Sequence, residues 1–117
     1  MTDLLRSALL SLHKTLIDQA KQSYESTHGP IVGPAALFRL VVEEPSFQWF
    51  RPLSETIVAI DEALENNPPA THEAIVAMVK LRLFPDTATD FSRSLEIAAS
   101  KSNIIKMDYN ATRELMT

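Results

Sequence analysis

The chemistry-bearing side chains of this chain concentrate in Glu43 to Glu55, EEPSFQWFRPLSE, which holds the only tryptophan between two phenylalanines and directly before Arg51 and Pro52. A guanidinium beside an indole can stack on it, and a guanidinium at a helix start marked by proline can hold an anion. Trp49, Arg51, Ser54, Glu55 and Asp61 are therefore the candidate ligand- or partner-contacting residues. Trp49 would form the wall of a pocket between the first and third helices, and the other four its polar groups. The same stretch also reads as a corner of the core. Phe47, Trp49 and Phe50 are three of eight aromatics, and each ring buries a large area, with Arg51 then answered by a carboxylate such as Asp61. Phe47 and Phe50 are three residues apart and share a helical face, which leaves Trp49 pointing elsewhere and partly exposed.

Other combinations of reactive side chains are incomplete. Glu25 and His28 have the Glu-x-x-His spacing found in carboxylate-bridged di-iron bundles, but such a site needs two copies and two further inward glutamates. One copy beside the helix-ending Gly29 reads as a histidine meeting free carbonyls at a helix terminus. His13, His28 and His72 show no ligand spacing and are expected at the surface, so no metal site is expected. The chain has no cysteine and two glycines. That removes thiol nucleophiles and thiolate metal sites, and it removes the glycine-rich loops that cradle phosphates. No serine has a Gly-x-Ser-x-Gly or Ser-x-x-Lys context to activate it. No catalytic residue and no cofactor are expected. Asp61, Glu62 and Glu65 crowd the end of the third helix and read as a solvated acidic face.

The elements that must position these residues are helices. Leu5, Leu9, Leu12, Leu16, Ala20 and Tyr24 recur at steps of three or four and predict a long first helix from Thr2 to about Thr27, with Thr2 or Asp3 as its cap. Gly29-Pro30 stops it, and Pro34 opens a short helix, AALFRLVV, expected to be largely buried. Pro45 opens the turn SFQWF. Pro52 opens a third helix carrying Leu53, Ile57, Ile60 and Leu64. Thr71 caps HEAIVAMVKLRLF, whose apolar residues spread round more than one face and predict a central position. Asp90 or Thr87 caps a fifth helix with Phe91, Leu95 and Ala98 inward. The tail from Asn103 can form a sixth, although Asn103 and Asn110 weaken it and the last dozen residues are expected to fray.

No period-two alternation, repeat or low-complexity tract interrupts this pattern. The 117 residues fit one all-α domain, a compact bundle of five or six helices, with the first helix packed on the third and fourth. Eleven basic residues are scattered among fifteen acidic ones, for a net charge of −4, which disfavours nucleic acid. No stretch approaches the roughly 18 uninterrupted apolar residues of a membrane span. A cytoplasmic protein is expected.

Tyr24-Glu25 in the first helix, Phe47, Trp49, Arg51, Pro52, Leu53 and Ser54 in the aromatic stretch, and Ile57, Ile60 and Asp61 beyond it form a pattern covering roughly the first half of the chain. It resembles a family of short, uncharacterised bacterial proteins with a YE helix, an F-x-W-hydrophobic-R-P-L-S segment and an I-x-x-I-D helix. The resemblance implies a small helical domain and carries no catalytic residue with it. A non-enzymatic interaction or oligomerisation module, a homodimer or an adaptor, is the leading functional expectation. The alternative is a small-molecule (anionic ligand) binder or enzyme with its pocket beside Trp49 and Arg51.

Overall fold

The computed structural model describes residues 2–117. Seven helices follow one another: α1 (Thr2–His28), α2 (Pro34–Glu43), α3 (Pro45–Gln48), α4 (Arg51–Glu65), α5 (His72–Leu83), α6 (Asp90–Lys101) and α7 (Asn103–Glu114), with no strand among the described residues. The all-α class matches expectation and the helix number does not. The additional element is the single turn α3, where Pro45 sits at the helix start and the amides of Phe47 and Gln48 both bond to the Glu44 carbonyl.

α1 is the spine. Leu5, Leu9, Leu12 and Leu16 are all buried, one on every turn of a single stripe. α7 packs on it most extensively and α4 next, while α5 packs on α4 and α6 on α7. The expected packing of α1 on the fourth predicted helix, α5, is accordingly minor, as is the central role expected for α5. That helix buries only Ile75, Val79 and Leu83 and leaves Leu81 exposed. With α4 and α7 already against α1, α5 and α6 are left on the outside.

Local chemistry explains where the helices begin. The Thr71 hydroxyl accepts from the Ala74 amide at the start of α5. α6 is capped by Thr89, not by Asp90 or Thr87: its hydroxyl accepts from the Ser92 amide while Ser92 Oγ accepts from the Thr89 amide. Ser102 alone joins α6 to α7. Its extended backbone breaks one helix, and its hydroxyl accepts from the Ile105 amide to start the next. Thr2, a candidate cap, lies inside α1, where its hydroxyl is 2.8 Å from His72 Nδ1.

The core is one cluster built from α1, α3, α4, α5, α6 and α7 with Phe50 and Met116, and α2 places no buried residue in it. This overturns the expectation of a largely buried second helix. Gly29 and Gly33 both adopt positive φ, 84° and 85°, and turn the chain twice within five residues. α2 then lies beside α3, with Leu37, Leu40 and Val41 half-buried. Among the described residues nothing covers its other side, where Phe38 is 70% exposed and Val42 51%. Two polar residues are fully buried, Thr56 and Thr112, and each donates its hydroxyl to the carbonyl four residues earlier. That satisfies the group within its own helix.

Candidate functional site

The aromatic corner is built on α3 and the two residues after it. Phe47 and Phe50 are each 1% exposed and face the core together. Phe50 meets the His13 ring of α1 edge-on at 5.8 Å and the Trp49 ring edge-on at 5.1 Å. Trp49 is half-buried and also meets Phe91 of α6 at 6.0 Å. Rings in these tilted and edge-on arrangements contribute beyond their buried area, so the corner ties α1, α3 and α6 together.

The five candidate residues do not converge. Arg51 Nε pairs with Glu55 Oε1 at 3.1 Å, with both side chains more than half exposed, and Ser54 donates to the Arg51 carbonyl at 2.9 Å. These three groups are occupied with one another on the first turns of α4. An exposed pair one helical turn apart contributes only a few tenths of a kcal/mol. Asp61 is taken by Arg6 of α1 rather than by Arg51, in a two-pronged contact of 2.6 and 3.1 Å. The hydrogen bond and charge of each partner hold the Asp61 carboxyl below its ordinary value and raise the Arg6 guanidinium above its own. The pair joins α1 to α4 and is structural. Arg51 and Ser54 border a hollow of about 160 Å³ beside His13 and Phe50, and burial lowers the His13 pKa.

Trp49 instead ends a different and larger concavity, a groove of about 450 Å³ between α1 and α6 that is open along one side. Leu16, Gln19, Ala20 and Ser23 line it from α1, Ser94, Ile97, Ala98 and Lys101 from α6, and Ser46 and Ile105 complete it. The space exists because Ala20, Ser23, Ser94 and Ala98 are small at positions one turn apart on facing helices. Lys101 is the only charged lining residue, and among the described residues it forms no ion pair. Gln19 Oε1 is buried beside the groove with no hydrogen-bond partner. Lys101 and the small residues were missed from sequence. Their signal is the run Ser94, Ala98, Lys101 in register with Ala20 and Ser23, recognisable only once α1 and α6 are known to face each other.

Glu25 and His28 have local roles. Glu25 Oε2 accepts from the Ile31 amide at 2.8 Å, and His28 stacks on Tyr24 with ring centres 4.2 Å apart and Nδ1 3.2 Å from the Tyr24 carbonyl. Both finish α1 rather than face a common ligand. Among the described residues no cluster of three or more His, Cys, Asp or Glu could hold a metal ion, and no helix is long and apolar enough to cross a membrane. Compared with protein-family models, curated proteins and solved structures, the chain has no significant match.

Proposed function

We propose that this protein is a non-enzymatic interaction module that self-associates through α2, the second copy covering the face that its own fold leaves bare. The observation that carries this reading is α2 itself. Seven of its ten residues are apolar, a composition that belongs in an interior, and none is buried. The exposed row Ala35, Phe38 and Val42 lies at steps of three and four along one side. Accessible area supports the same reading: the chain exposes 7511 Å², whereas a folded monomer of 13.1 kDa exposes roughly 6,400 Å². The excess, roughly 1,100 Å², belongs to the chain as a whole, and α2 contributes to it through Phe38 and Val42.

A second copy is favoured over an unrelated partner because the charges on α2 complement themselves. Arg39 and Glu43 are one turn apart, so two antiparallel α2 helices about a two-fold axis set Arg39 of each against Glu43 of the other. The resemblance of the pattern around Tyr24 and Trp49 to short bacterial helical proteins supports such a module, and a cytoplasmic setting is part of the same proposal. Sedimentation velocity across a concentration series tests the reading. The expected result is a monomer–dimer equilibrium that Phe38→Asp weakens at least about 100-fold, with Arg39→Glu also weakening it and Arg39→Glu with Glu43→Arg restoring it. A chain that stays monomeric at all concentrations, or a Phe38→Asp variant that dimerises as before, rejects it.

A further inference from the structure

We infer that the groove between α1 and α6 is a binding site for a small amphipathic carboxylate, with its apolar body along Leu16, Ala20, Ala98 and Trp49 and its carboxylate at Lys101. This site is separate from α2 and does not depend on self-association. Three observations support it. The groove's volume, about 450 Å³, falls within the roughly 300–1,000 Å³ of small-molecule sites. Most of its wall area is apolar, with one large ring, Trp49, and apart from Lys101 its polar groups are the neutral side chains of Gln19, Ser23, Ser46 and Ser94.

Charge selects the ligand. In a chain of net charge −4, the groove has no carboxylate in its lining and a single cation, Lys101, that forms no ion pair among the described residues. An anion therefore meets one attractive charge and no carboxylate in the lining, whereas a cation or a zwitterion with an exposed ammonium meets repulsion at Lys101. From Ser94 to Lys101 the α6 wall rises about 10 Å at the helical 1.5 Å per residue, so the apolar body is of that length. The cation at the Trp49 site is thus Lys101 from the C-terminal half of the chain. Arg51, one residue after Phe50, is turned to Glu55 on the far side of the corner.

Decanoate is a suitable probe, with decanol as its uncharged counterpart, and binding is read from the emission of the sole tryptophan and by calorimetry. The Phe38→Asp background keeps self-association out of the signal. Decanoate is expected to shift Trp49 emission saturably. Lys101→Glu should weaken decanoate at least about 10-fold and leave decanol unchanged. Ala98→Phe, which fills the groove, should abolish binding of both with the helical circular dichroism retained, and Ala20→Leu serves the same purpose if Ala98→Phe does not fold. The absence of a saturable response to decanoate overturns the inference. So does equal binding of decanoate by the wild type and Lys101→Glu, or undiminished binding by the folded groove-filling variant.

Discussion

Helices α2 and α7 are nearly equal in length, and their compositions suggest the reverse of their roles. Seven of ten residues in α2 are apolar and none is buried, whereas five of twelve in α7 are apolar and α7 is the helix on which α1 packs most extensively. The difference lies in arrangement. In α7 the buried Ile105 and Thr112 and the half-buried Asp108 and Tyr109 lie on one side, and Ile104, Met107 and Arg113 lie on the other. In α2 apolar residues surround the axis, so half of them have no surface within the chain to meet. Phase, more than total hydrophobicity, decides which helix a single chain can bury.

The largest expected effect separates the two helices directly. Ile105→Ala should cost about 2–5 kcal/mol of folding stability, because it empties a fully buried position. Phe38→Ala should change the monomer's stability by about 0.5 kcal/mol or less, since that ring is mostly in water. Urea unfolding at low protein concentration measures both, and a large loss from Phe38→Ala would mean that α2 is part of the core. Next comes the start of α7. Ser102→Ala removes the only side-chain cap of that helix and should cost about 1 kcal/mol, whereas α2 has no side-chain cap to lose. Thr112→Val should be smaller still, within about 1 kcal/mol, because the hydroxyl's acceptor is a helix carbonyl in its own chain.

Two titrations give the finest test, and they act in separate pH windows. Burial lowers the His13 pKa below its ordinary 6.5. As pH falls through that ordinary value the unfolded chain takes up the proton first, so stability declines until the lowered native value is passed. Asp61 contributes stability that is present above its ordinary 3.8 and lost as pH falls through its lowered native value. His13→Gln should flatten the upper part of a plot of urea midpoint against pH and Asp61→Asn the lower part, each leaving the other part unchanged.

Much of the fold was legible in sequence because helical phase and stop signals are local. The Leu5–Leu16 stripe, the Gly29-Pro30 stop, the Thr71 cap and the paired inward rings of Phe47 and Phe50 each depend on a few neighbouring residues. The position of a helix within the bundle depends on competition with other helices for the same surface. For that reason α2 was expected inside, and α5 was expected at the centre where α7 stands. The candidate site divides along the same line. A half-buried Trp49 follows from its offset against Phe47 and Phe50, but Arg51, Ser54 and Glu55 are engaged along α4, and Asp61 belongs to Arg6, a partner 55 residues away. Lys101 and the small residues opposite Trp49 become visible only when α6 is set beside α1.

α1 runs unbroken for 27 residues, yet all of its buried side chains lie between Leu5 and Leu16. Amide hydrogen exchange should therefore grade along one continuous rod. The amides of the second to fourth turns are held by the whole core and should open only with global unfolding, while those of the first turn, which have no acceptor within the helix, and those approaching His28 should exchange through local fraying. A single helix by geometry is then expected to behave as two cooperative units, with the change falling beyond Leu16, the last of its buried residues.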